Sequence, residues 1–211
     1  MGQYSTIKKR KPSKIYRITM LKELFISEVR VNLLKFLIKN YTQEFHVRAL
    51  VRELGVEINA VRRELEKLNN LDILIKNPWG NKIFYKINVL SPIYPDLVSM
   101  IFKEEGIALK LLKSKDNLGE VKFIALSKEF CRGRHASALE LDLLIVGNPN
   151  LNVLENLIHK FEQEDREINY TILSEDEFSQ RKRKFDTFVL KFLIQPRIMI
   201  FGDEYEITKI S

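Results

Sequence analysis

The sequence predicts an α+β chain in two parts. An N-terminal helical segment ends in a β-hairpin, and a small C-terminal α/β unit is built on a central mixed sheet. Three observations predict this. Residues 45–87 pass from helical to strand periodicity, with a glycine between two amphipathic helices and turn formers between two strands. Residues 121–201 alternate short apolar strands with helical stretches. The polar run at 113–119, KSKDNLG, separates the two patterns and is the expected boundary. The 211 residues suffice for two small domains, each with its own core.

The elements follow in order. Residues 1–20 form a basic tail, with Lys8, Lys9, Arg10, Lys11, Lys14 and Arg17 and no acidic residue before Glu23. Such a tail is expected to stay disordered until it meets phosphate. Residues 21–40 contain a helix, with Val31, Leu34 and Ile38 at helical spacing. Val47, Leu50, Val51 and Leu54 place an apolar stripe on the next helix, and Gly55 suits the turn that follows. The second helix of the pair has Ile58, Val61, Leu65 and Leu68 on one side. Asn59, Arg62, Arg63, Glu66 and Lys67 lie mainly on the other, with Asn59 as the expected N-cap. Residues 73–76 and 82–87 read as strands around Asn77, Pro78, Trp79, Gly80 and Asn81, all in the turn. Pro92 and Pro95 break regular structure, and residues 97–112 read as a connector or dimerising helix.

In the second half, strands are expected at 121–126, 140–146, 167–173 and 197–201, with helices at 151–164 and about 175–194. The expected organisation is therefore a tail at 1–20, a first domain at 21–90, a connector at 91–118 and a second domain at 119–211.

Charge separates the halves. Residues 1–90 carry 18 Lys/Arg against 8 Asp/Glu, and residues 91–211 carry 17 against 20, within a whole-chain net charge of +7. The positive excess is localised where the helix pair lies, as an electrostatic footprint for a polyanion should be. No apolar run approaches the ~20 residues needed to span a bilayer, and residues 1–20 lack a secretory h-region. Residues 1–6, MGQYST, formally match an N-myristoylation pattern followed by a basic cluster, but no membrane partner is expected. The single cysteine, Cys131, excludes an internal disulfide and suits a reducing cytoplasm as a plain thiol. His46, His135 and His159 are widely separated, and no Cys/His cluster has metal-ligand spacing.

The segment from Phe45 to Tyr85 resembles winged helix-turn-helix transcriptional regulators of the ArsR/MarR type. The residues that carry the resemblance are Phe45, His46, Val47, Arg48 and Leu50, then Asn59, Val61, Arg62, Arg63 and Leu65, then the stretch from Gly80 to Tyr85. The resemblance implies that the second helix enters the major groove of double-stranded DNA. Base contacts would come from Asn59, Arg62, Arg63 and Glu66, and phosphate contacts from Lys67, Lys76, Lys82 and the tail, with Asn81 beside them at the hairpin tip. A homodimer is expected, because one recognition helix reads few bases. The connector at 97–112 is the expected seam.

The second half resembles minimal nucleotidyltransferase domains. The residues are Leu139 to Gly147, LELDLLIVG, Arg166 to Thr171, REINYT, and Glu177 with Phe178. That family holds a triphosphate at a Gly-Ser pair and two metal ions on three carboxylates. Glu140 and Asp142 have the i, i+2 spacing of the first two carboxylates on one strand face. The Gly-Ser pair is absent, because Lys128 and Glu129 follow Ser127. Asn169 stands on the strand face, shared with Glu167 and Thr171, where the third carboxylate is wanted. The domain is therefore expected to be degenerate, with no catalytic residue, no metal and no cofactor. Its use would be sensing, dimerisation or partner binding, and Ser127, Lys128, Arg132, Arg134 and His135 are candidates for holding a nucleotide or small anion.

The leading expectation is a DNA-binding transcriptional regulator. One alternative is an active nucleotidyltransferase that uses Glu140 and Asp142 with Mg²⁺ on a protein, RNA or small molecule. A second is a protein-interaction scaffold.

Overall fold

The expected helix at 21–40 breaks at Ile26, whose φ of 62° is left-handed and ends a first short helix. The computed structural model describes residues 20–131 and 140–209. Within them, α1 spans Met20–Phe25 and α2 spans Glu28–Lys39, with Ser27 as N-cap accepting the Arg30 N–H. A strand not foreseen, β1 (Phe45–His46), leads directly into α3 (Val47–Leu54) and then α4 (Ile58–Asn70). The hairpin is β2 (Leu74–Trp79) and β3 (Lys82–Ile87). Asn77, Pro78 and Trp79 therefore belong to the strand and not to the turn. Pro78 is tolerated because the sheet order β1-β3-β2 leaves β2 at an edge, where a missing N–H breaks no ladder.

The connector is two helices, α5 (Tyr94–Lys103) and α6 (Gly106–Lys113), and not one. Pro95 does not block α5, because it lies in the first turn, where an N–H has no intrahelical acceptor. Tyr94, Leu97, Val98, Ile101, Ile107, Ala108 and Leu111 are all buried inside the chain. The apolar face read as a dimer seam thus packs within a single copy.

The second sheet comprises β4 (Gly119–Ser127), β5 (Leu143–Pro149), β6 (Tyr170–Leu173) and β7 (Arg197–Phe201), in the order β6-β5-β4-β7. It is mixed: β5 runs parallel to β6, and β4 is antiparallel to both of its neighbours. The helices are α7 (Lys128–Cys131), α8 (Leu151–Glu164), α9 (Glu175–Arg183), α10 (Thr187–Ile194) and α11 (Glu204–Thr208). The helical stretch at 175–194 is split at Phe185, with φ 54°, after which Asp186 caps α10.

Alternation along the central strands builds two cores. Ile124, Leu126, Leu143, Ile145, Ile198 and Ile200 face α6 and α8, while Phe123, Ala125, Leu144 and Val146 face Phe178, Val189, Phe192 and Ile207 of the last three helices. Gly147 lies where β4 bulges. A Cβ there would meet the Glu120 carbonyl oxygen at 2.4 Å, so the close approach of β4 and β5 needs glycine.

The larger apolar cluster runs without interruption from Leu21 to Ile200. The expected boundary at 113–119 falls inside it, with Leu118 buried. Polar contacts reinforce the junction. The Leu21 N–H donates to Glu104 Oε1 at 2.7 Å, and Lys35 and Lys39 reach the Glu105 carboxylate at 3.1 and 2.6 Å. Among the described residues the chain is thus a mixed α+β protein with eleven helices and two sheets, and no helix is long and apolar enough to cross a membrane.

Candidate nucleic-acid interface and the β5 carboxylates

Capping fixes the ends of α3 and α4. His46 Nδ1 accepts the Ala49 N–H at 3.2 Å at the start of α3. Gly55, with φ 64°, ends α3 by donating its N–H to the Val51 carbonyl at 2.9 Å. Glu57 is the N-cap of α4, accepting the N–H groups of Asn59 and Ala60 at 2.8 and 2.9 Å. Those two bonds, with the charges of Arg63 and Arg62, hold its carboxyl below the ordinary value. Asn59 is therefore not the cap. It is the second residue of α4, because the extended Glu57 already brings a carboxylate to the free N–H groups.

The two sides of α4 are as divided as its sequence. Val61, Leu65 and Leu68 are buried, while Asn59, Arg62, Arg63, Glu66 and Lys67 are exposed. Arg62 and Arg63 form no salt bridge among the described residues, so their forks are available to a ligand. The other candidates are partly engaged. Lys67 meets Glu64 at 3.4 Å, and Lys76 on β2 meets Glu66 at 3.3 Å, which ties the hairpin to α4. Asn81 and Lys82 are exposed at the hairpin tip beside Gly80, whose φ of 56° suits the two-residue turn.

Sequence reading missed three features here. Trp79 is exposed at the tip, Phe84 lies between Trp79 and His46, and Glu44 anchors Asn77 at 2.8 Å and Lys86 at 2.9 Å. With Trp79 assigned to the turn, the period-2 pattern of 75, 77 and 79 went unread.

At the second sheet, Glu140 and Asp142 precede β5 and do not lie on it. Asp142 is buried and works as a structural joint. Its N–H donates to the Asn169 carbonyl at 2.8 Å, its Oδ2 accepts the Asn169 N–H at 2.9 Å, and its carbonyl accepts the Ser127 N–H at 2.7 Å. Burial pushes its carboxyl above the ordinary value, against the opposing pull of the Asn169 N–H and Arg166. Glu167 and Asn169 likewise precede β6, and only Thr171 lies on it. Among the described residues no three His, Cys, Asp or Glu side chains gather closely enough to hold a metal ion. One oxygen of Asp142 accepts the Asn169 N–H, and the side chain of Asn169 beside it is an amide and not a carboxylate.

Ser127 is buried and its Oγ accepts the Glu129 N–H at 3.2 Å, while the Lys128 N–H donates to the Pro196 carbonyl. Both therefore serve the turn into α7. Arg132, Arg134 and His135 lie outside the described residues, as does the tail at 1–19. Cys131 is buried and free, its thiol pushed up to about 12 by burial. Beside it Arg166 lies 4.1 Å over the Phe130 ring and donates to the Phe130 carbonyl.

No family model, curated protein or solved structure matches the chain. The charge map and the geometry of α4 carry the functional argument.

Proposed function

We propose that the chain is a DNA-binding transcriptional regulator that holds double-stranded DNA through a winged helix-turn-helix formed by α3, α4 and the β2–β3 hairpin. The observation that carries this is α4 itself. One side is fixed in the core, and the other presents Asn59 with Arg62 and Arg63, two guanidinium forks that no carboxylate neutralises through a salt bridge among the described residues. Forked donors on a rigid helix suit guanine edges and phosphates. Lys67, Lys76 and Lys82 supply further phosphate contacts, with Glu66 and Asn81 at the margin. The net positive charge of residues 1–90 supports the reading.

On this reading the sheet at 119–211 is a degenerate nucleotidyltransferase-like domain that senses, dimerises or recruits a partner without metal or nucleotide chemistry. The protein works as a homodimer in the cytoplasm, where two copies of α4 read two half-sites.

The test is fluorescence anisotropy against duplex fragments, including the protein's own upstream region, titrated in salt. Duplex affinity that falls steeply with salt, and that Arg62→Ala with Arg63→Ala weakens strongly, is the expected result. Absence of duplex binding at low salt overturns the proposal.

A further inference from the structure

The solvent face of the three-stranded sheet carries a line of rings. Register places Phe84 opposite His46 on β1 and opposite Asn77 on β2, so these side chains share one face. Trp79, two residues beyond Asn77, falls on the same face, as does its register partner Lys82. His46 and Phe84 stack with ring centroids 5.8 Å apart and planes 13° apart, and Phe84 meets Trp79 at 5.9 Å. The opposite face supplies the core, through Leu74, Tyr85 and Ile87.

These rings are not there for the core. Trp79 is 78% exposed at the tip of a hairpin, an uncommon place for so large an apolar surface. The line is also pre-set. His46 is held by its Nδ1 bond to the Ala49 N–H, and the strand pairing fixes Phe84. Cations flank it: Lys82 makes no salt bridge among the described residues, and Lys86 shares its charge with Glu44 at 2.9 Å. Aromatic planes on an open sheet face beside lysines suit bases whose π-faces are uncovered, with phosphates within reach. An intact duplex keeps those π-faces stacked inside and presents only edges and backbone.

We propose that this face binds unpaired bases. His46, Phe84 and Trp79 form the stacking surface for a single-stranded nucleic-acid segment, and Lys82 meets its phosphates. The proposal goes beyond duplex reading by α4 and does not depend on it: the rings lie outside α4, and Lys82 is the one residue common to both surfaces.

Trp79 is the only tryptophan in the chain, so its emission reports this face alone. The full chain is titrated at low salt with an oligothymidylate of about twelve nucleotides, and separately with a duplex of the same length. The single strand is expected to quench the emission to saturation by stacking, and the duplex, which reaches the hairpin tip only through Asn81 and Lys82, to quench it much less. Arg62→Ala with Arg63→Ala keeps the single-strand quench while losing duplex affinity, so failure of the duplex reading leaves this result standing. By anisotropy with a labelled oligothymidylate, Trp79→Ala loses about tenfold in affinity, and the exposure of the side chain makes a folding defect an unsuitable explanation. Emission unchanged at saturation, equal quenching by the duplex, or wild-type affinity in Trp79→Ala each overturns the proposal.

Discussion

Arg30 Nε lies 2.7 Å from Glu64 Oε2, and this ion pair joins α2 to the inward side of α4. Glu64 interrupts the apolar stripe between Val61 and Leu65, yet it is buried. Burial opposes its ionisation, but the hydrogen bond and charge of Arg30, with Lys67, outweigh that and hold the carboxyl below its ordinary value of 4.5. The pair therefore sets how α4 is seated while Arg62 and Arg63 face outward.

Glu64→Gln is expected to destabilise the fold by about 1–3 kcal/mol, since it leaves the half-buried Arg30 without its charge partner. The sign with pH follows from the lowered value. The contribution is full above the unfolded value near 4.5 and is lost as pH falls through the lower folded value. Urea unfolding of wild type and Glu64→Gln should therefore show a gap that closes with acidification in that range. A gap independent of pH would remove the ion pair from the account.

Asp142 is expected to behave in the opposite sense. Its folded value lies above the ordinary 3.8, so its ionised form is a cost that is relieved as pH falls through the folded value. Asp142→Asn keeps an oxygen for the Asn169 N–H and removes the buried charge. It should match or exceed wild-type stability at neutral pH, whereas Asp142→Ala should lose about 1–3 kcal/mol. Denaturation midpoints of the two variants check this, and equal losses in both would show that the charge itself is needed.

Ile26 combines a φ of 62° with 93% exposure, so a β-branched residue holds a strained conformation without packing in return. Ile26→Asn should stabilise the protein by about 1 kcal/mol, or a rise of roughly 2–4 °C in the melting midpoint. An unchanged or lower midpoint would count against strain at this joint.

Arg62→Ala with Arg63→Ala should leave the melting midpoint near wild type, because both side chains are exposed. If both meet phosphates, the slope of log affinity against log salt falls by about 2. An unchanged slope alongside relaxed sequence preference would instead assign them to base edges.

Much of α3 and α4 was legible, because a 3.6-residue apolar period and Gly55 are strong local signals. The central strands were legible as apolar runs, though β5 and β6 begin three residues later than expected. Residues 140–142 and 167–169 pair outside the regular strands, through the Asp142–Asn169 bonds, and no local pattern encodes that. The helix breaks at Ile26 and Phe185 were hidden because neither residue type signals positive φ. Pro78 and Pro95 misled because the harm proline does depends on whether its N–H was wanted, which is decided by edge position and helix register. At the candidate interface the outward residues of α4 were readable from spacing, but its cap, the Arg30–Glu64 pair and the ring line across β1, β3 and β2 need contacts between distant segments.

The unbroken apolar cluster beneath α1, α2, α5 and α6 has a consequence for dissection of the protein. A fragment ending near residue 90 would lose Glu104 and Glu105 and strip the covering from part of the cluster. Such a piece is expected to be sticky and poorly folded, however self-sufficient its sequence pattern looks. Separable parts in the primary structure have here become mutually obligate, so domain swaps and truncations should preserve the corner at 103–106.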